Sequence, residues 1–320
     1  MVHIQPHTQI AFEDLSGGSS GNYSNPYDAL IEGSNDDIKT IQARYASHRT
    51  TRNAQQKTKL LDPAFSGVLV DEILRRVHDP TVEPGYDDPR HCLTLWARPP
   101  ERVRQLVDTV QQKLLAIAPN LWVMPPPNLH LTAIEVNHSQ TAETIAALVE
   151  AIKPSLPTLV NYTQSHRARL IKPMISYDAQ ALALSFLPAA GEALPPGRTA
   201  DEDSYSYHHL RRDLYTTAEK AGVQVASRYV VPSAHLTIAR FIDRGDFSDA
   251  DGKPDPEKMK QLVETVEELN HWLESEFWPK EGDERREGVQ WIVGEERGLD
   301  CRAGTVWYGG GRSEMVGAGF

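Results

Sequence analysis

The sequence predicts an α+β protein: two pseudo-symmetric lobes, each a mainly antiparallel sheet flanked by helices, around a central cleft. Three features predict it. Strand-length apolar runs alternate with segments whose apolar residues recur at three- and four-residue spacing. Two of those runs, 166–177 and 180–187, lie close enough along the chain to form a hairpin. The hexapeptide Pro-x-x-His-Leu-Thr occurs twice, at 127–132 and 232–237, and each copy opens an apolar run. That repeat, with a period near 105 residues, predicts an internal duplication of element order.

Residues 1–58 are rich in Ser, Asn, Gly, Gln and His and carry no sustained apolar period. They read as a disordered tail, with too little apolar surface to offset chain entropy. Residues 59–87 read as an N-terminal helical extension. Asp62 is its cap, Pro63 suits the first turn, and Leu69, Val70, Ile73, Leu74 and Val77 follow at helical spacing. The bilobal domain covers 88–312. Its first lobe, about 88–187, opens with the strand "HCLTLWARP" and a helix that presents Val103, Leu106, Val107, Val110, Leu114 and Ile117 on one face. The first His-Leu-Thr strand follows over about 128–137, then a helix near 141–153 capped by Thr141, then the hairpin. The Pro/Gly-rich acidic stretch 188–203 reads as a surface linker. The second lobe, about 204–312, starts with a helix over 206–221 that stops at Gly222. The second His-Leu-Thr strand covers about 233–242, a helix runs over 256–274, and strands near 288–295 and 303–309 complete the lobe. Residues 313–320 are left as a C-terminal tail.

Composition narrows the function. At 40% hydrophobic and 24% charged residues the chain reads as a soluble globular protein. A formal net charge of -11 argues against an extended nucleic-acid surface, which needs clustered cations. A small anionic substrate, or one RNA end held by a few local cations, stays compatible. Cys92 and Cys301 make no disulfide framework and read as buried thiols in a reducing compartment. No run reaches the roughly 18 apolar residues that span a membrane, and the start of the chain lacks the basic and apolar regions of a secretory signal. The expectation is an intracellular monomer, cytoplasmic or nuclear, with no membrane partner.

Residues two apart in a strand share a face, about 6.6 Å apart. His130 and Thr132 therefore look one way together, and so do His235 and Thr237. If the two lobes face each other, two imidazoles and two hydroxyls meet in one cleft. One imidazole can deprotonate water and the other can protonate the departing oxygen, while the hydroxyls hold phosphate oxygens. Such a site needs no metal and no cofactor. No His-Glu-x-x-His, His-x-His or Cys-x-x-Cys spacing offers a ligand set for a metal hydrolase.

The bare His-x-Ser/Thr pattern is weak, since 12 His in 320 residues make on the order of one chance match expected. The third copy, His48-Arg49-Thr50, has no proline lead, no strand pattern and no apolar neighbours, and is assigned to chance. The other two share Pro three before His, Leu between His and Thr, and equivalent places in the repeat. Paired strands of this kind in a duplicated α+β chain resemble the 2H phosphoesterase superfamily, which includes bacterial RNA 2',5'-ligase-like proteins and eukaryotic cyclic phosphodiesterases. The resemblance covers about 88–312. It implies metal-independent cleavage of a 2',3'-cyclic phosphate or a related RNA-end phosphodiester, with His130 and His235 as the acid–base pair and Thr132 and Thr237 on the phosphate. A small nucleotide or an RNA 3'-end is the implied substrate. The rival of a different class is a non-catalytic nucleotide or RNA-end binding module on the same fold.

Other residues rank lower. His208 and His209 read as a solvated helix face, and His166, Arg167, Arg169 and Lys172 as exposed strand charge. Arg240 points away from the His235 face by strand alternation. Tyr177, Trp307 and Tyr308 read as core or rim aromatics, with base stacking as the sharper alternative.

Overall fold

The computed structural model describes residues 13–16, 23–280 and 289–320. The chain begins with α1 (Asp28–Gly33), α2 (Ile38–Leu60) and α3 (Glu72–His78). Then come β1 (His91–Ala97), α4 (Glu101–Leu115), β2 (Trp122–Val123), β3 (Leu131–Gln140), α5 (Ala142–Ile152) and α6 (Leu156–Val160). The hairpin is β4 (Arg169–Tyr177) and β5 (Ala181–Pro188), followed by α7 (Tyr207–Lys220), β6 (Ala234–Arg240) and α8 (Pro256–Phe277). Three short strands follow: β7 (Trp291–Ile292), β8 (Asp300–Gly304) and β9 (Arg312–Val316). Local chemistry accounts for most boundaries. The Thr141 side chain accepts from Thr144 N to cap α5, Ser206 caps α7, and Gly222 ends α7 in the left-handed region.

The fold is α+β, with two antiparallel sheets flanked by helices, as the sequence predicts. One sheet has the strand order β3-β1-β8-β9 and the other β2-β6-β5-β4-β7. The lobes are not the contiguous stretches 88–187 and 204–312, however. The hairpin β4–β5 pairs with β6, across the linker, and β8 leaves the second stretch to pair with β1. The chain therefore crosses between sheets in both directions. Hairpin pairing is local, but which third strand covers the remaining edge is settled by tertiary packing.

Several boundaries move. The strand expected at 303–309 is replaced by β8 and β9, joined by a turn in which Gly309 has φ +86°. That turn passes so close to Asn128 that a Cβ on Gly309 would sit 2.2 Å from its Cβ. The expected tail 313–320 supplies most of β9, and of the strand expected at 288–295 only β7 forms, with residue 288 outside the described residues.

The described part of the expected disordered tail is ordered. Tyr27, Leu30, Ile41 and Tyr45 join the main core, and Asp37 caps α2 by accepting from Thr40 N. The apolar period misses α2 because its inward face also carries His48 and Arg49, both buried. Residues 1–12 and 17–22 of that tail lie outside the described residues. Beyond the end of α2 at Leu60, the extension 59–87 forms the seven-residue α3, capped by Asp71 rather than Asp62, and Leu69 and Val77 are exposed. The linker 188–203 is anchored too: Asp203 is buried and receives both Arg169 and Arg198. Among the described residues no helix is long and apolar enough to cross a membrane.

Candidate functional site

The two His-Leu-Thr segments meet. One cavity is lined by Thr94, Trp96, His130, Thr132 and Glu135 from one sheet and its flanks, and by His235, Thr237 and Arg240 from the other. Arg211, Tyr229, Ser233 and Trp307 close its sides. All four residues expected at the site are therefore at one cavity.

Each imidazole is tied through Nδ1 to a group two residues before it. His130 Nδ1 lies 2.7 Å from the carbonyl oxygen of Asn128, and His235 Nδ1 lies 2.9 Å from Ser233 Oγ. A carbonyl only accepts, so His130 carries its neutral-state proton on Nδ1 and leaves the Nε2 lone pair free. A hydroxyl can donate or accept, so the Ser233 anchor suits His235 in either protonation state. The loop carrying His130 is held from outside: Arg98 donates to the carbonyls of Pro127 and Leu129 and pairs with Asp300 at 2.8 Å. Trp96 stacks on the His130 ring with centroids 3.6 Å apart. Both rings are half-buried, and burial pushes them well below the usual histidine range, to about 3 for His130 and about 4 for His235. Nearby cations act in the same direction, Arg98 on His130 and Arg52 and Arg211 on His235.

Strand irregularities build the rest of the site. Along β5 and β6, Leu182 pairs with Ala239 while Ala183 pairs with Thr237, which leaves Ile238 as an extra residue. The bulge shifts the alternation by one, so His235, Thr237 and Arg240 all reach the cavity. The expectation that Arg240 points away is corrected by that single residue. The freed Ile238 carbonyl is satisfied by Met124 N and by the buried Gln111 amide. The first sheet repeats the device. Leu95 pairs with Ile134 and Trp96 with Thr132, which makes Ala133 the extra residue and turns Glu135 into the cavity. Glu135 and Arg240 thus occupy the same place in the two copies, five residues after each histidine. Glu135 holds Arg228 through both oxygens, at 2.6 and 3.0 Å. Arg240 donates to Asp71 at 3.2 Å and lies against the Tyr308 ring.

Several donors in this cavity have no partner. Thr94 Oγ1, Trp96 Nε1, Trp307 Nε1, Arg240 Nε and Arg211 Nε are buried and make no hydrogen bond among the described residues. Buried polar atoms are normally paired, so a group of orphaned donors beside two imidazoles suits an anion. Sequence patterning names none of Thr94, Trp96, Glu135, Arg211 or Ser233 as a site residue. The signal available is the matching offset of Glu135 and Arg240 within the repeat.

The lower-ranked residues go elsewhere, with exceptions. His208 and His209 are buried, not solvated: His208 bonds the Tyr45 hydroxyl and the Tyr27 carbonyl, and His209 bonds Ser206 and Asp36. The run His166 to Lys172 does not line the cavity. Within it Arg169 is fully buried in its pair with Asp203, while Lys172 pairs with Glu192. Tyr177 is core. Trp307 lines the cavity and Tyr308 props Arg240 from behind. Both cysteines are buried and free, and burial raises each thiol to about 12, although Cys92 borders the cavity. Among the described residues no three His, Cys, Asp or Glu side chains gather as a metal-ligand set.

No protein-family model matches the chain, and no curated protein does. Among solved structures it is similar to TT0787 of Thermus thermophilus, at 15% identity and a TM-score of 0.38, over 71% of this chain and 97% of that one.

Proposed function

We propose that the protein is a phosphodiesterase that opens a 2',3'-cyclic phosphate, or a related RNA-end phosphodiester, by two-histidine acid–base catalysis that needs no metal ion. The observation that carries the reading is the cavity itself: two imidazoles from different sheets, each fixed through Nδ1, beside two threonine hydroxyls. His130 Nε2 accepts a proton from water as the water oxygen bonds to phosphorus. The bond from phosphorus to one ribose oxygen breaks, and His235, which enters this step in its minor protonated (imidazolium) form, gives that oxygen its proton. Thr132 and Thr237, with the Arg240 guanidinium, receive the charge that builds on the non-bridging oxygens. The carbonyl anchor supports His130 as base, and the adaptable hydroxyl anchor supports His235 as acid.

The test is hydrolysis of nucleoside 2',3'-cyclic phosphates with excess EDTA present. Turnover should persist, and His130→Ala and His235→Ala should each lose about 10²-fold or more with the fold intact. The roles separate on a 4-nitrophenyl phosphodiester, whose leaving group needs no proton: it should restore His235→Ala far more than His130→Ala. Complete loss of activity with EDTA would remove the metal-free mechanism. Binding of cyclic nucleotide without any turnover would establish the binding-module alternative.

A further inference from the structure

A second, wider cavity of about 520 Å³ opens from the first and shares His235, Thr237, Arg240, Tyr229, Ser233 and Trp307 with it. Its far wall is α2, which presents Tyr45, His48, Arg49 and Arg52. The wall comes from the N-terminal segment that lies outside the 88–312 resemblance and that the sequence pattern leaves unstructured.

Arg49 is the unusual group there. It is only 5% exposed, and its Nη1 donates to the carbonyls of Lys172 at 2.7 Å and Ser185 at 3.4 Å. Its guanidinium lies 5.4 Å from the centre of the Trp278 ring. Its Nε is buried without a partner, and among the described residues no carboxylate stands within ion-pair distance of it. Burial pushes this arginine down to about 9, opposed by the charge of Glu274. The other cations of the cavity are matched: Arg52 with Asp178, Arg228 with Glu135 and Arg240 with Asp71. Glu13 adds one more acid at the border. The seat is built by the backbone as well. Lys172 has φ +55°, within the irregular pairing of β4 between Ile171 and Met174, and its carbonyl is the one that Arg49 holds. An unpaired buried guanidinium costs stability, and an anion delivered to it offsets that cost.

We propose that the cavity under α2 is a second anion subsite centred on Arg49, which receives the phosphodiester one nucleotide away from the reacting phosphate. The preferred substrate is then a short oligonucleotide end rather than a mononucleotide. The assignment of the reacting phosphate rests on the phosphodiesterase reading, but the subsite is tested by binding alone. The local cation fits the overall charge of -11, which leaves no long phosphate track.

The experiment is calorimetric binding to the full chain of a 3'-phosphorylated dinucleotide and of a nucleoside 3'-monophosphate. The dinucleotide should bind about 10-fold tighter or better. A dinucleotide whose internal linkage is a neutral methylphosphonate should lose that gain, and Arg49→Gln should remove it for the charged one. Equal affinities for the two phosphorylated ligands, or a gain kept by the methylphosphonate, would overturn the subsite. The methylphosphonate comparison needs no variant, so it decides the matter even if Arg49→Gln fails to fold. A binding preference with no turnover of any cyclic phosphate keeps the subsite and removes the phosphodiesterase.

Discussion

His130 and His235 begin from one sequence motif and end with different partners, a carbonyl and a hydroxyl. Both are held neutral at pH 7, because their half-buried places disfavour the cation. In the unfolded chain they titrate near ~6.5. As pH falls below that value the unfolded state takes up protons that the folded state refuses, so stability declines from pH ~6.5 down toward the folded values of about 3 and 4. Denaturant titrations of the parent and of His130→Asn/His235→Asn should show a shallower decline over that window in the variant. An unchanged slope would mean the rings titrate normally in the fold. If the proposed phosphodiesterase reading holds, kcat/KM, which reports the protein without substrate, should for the same reason peak on the acid side of pH ~6.5. At this scale the sequence shows the motif and its face. It does not show Glu135 and Arg240, because a bulge defeats counting by twos.

Bulges and α2 are the elements that finish the site. Each bulge adds one residue, Ala133 or Ile238, and turns the position five beyond the histidine inward. The helix α2 docks through Ile41 and Tyr45, while His48 and Arg49 give its buried face a polar half. An apolar period does not detect a helix whose buried side is half polar. Tyr45 is 1% exposed, with its hydroxyl 2.9 Å from His208 Nδ1. Tyr45→Ala should therefore cost about 3 kcal/mol in chemical denaturation, the cost of emptying an aromatic site. A loss under about 1 kcal/mol would show that α2 is only loosely attached. His208 reads as solvated in sequence for the mirror-image reason: its partners, Tyr27 and Tyr45, come from the segment expected to lack structure.

At the level of the whole molecule, the exchange of strands ties the two sheets together. Sheet β3-β1-β8-β9 needs residues 300–316, and sheet β2-β6-β5-β4-β7 needs residues 169–188 from the first half. Fragments 88–187 and 204–312, expressed apart, should each lack a native far-ultraviolet and amide-exchange signature, whereas two contiguous lobes would each keep one. The intact chain should unfold in one transition rather than two. The sequence by itself determined the α+β class, most helices and strands, and the four residues His130, Thr132, His235 and Thr237, because periodicity and a repeated motif are properties of neighbours along the chain. Only the tertiary structure decided which strand covers which edge, which way Glu135 and Arg240 face, and that α2 walls the cavity. Those outcomes depend on packing between segments far apart in sequence, where one inserted residue or one buried arginine changes what a surface presents.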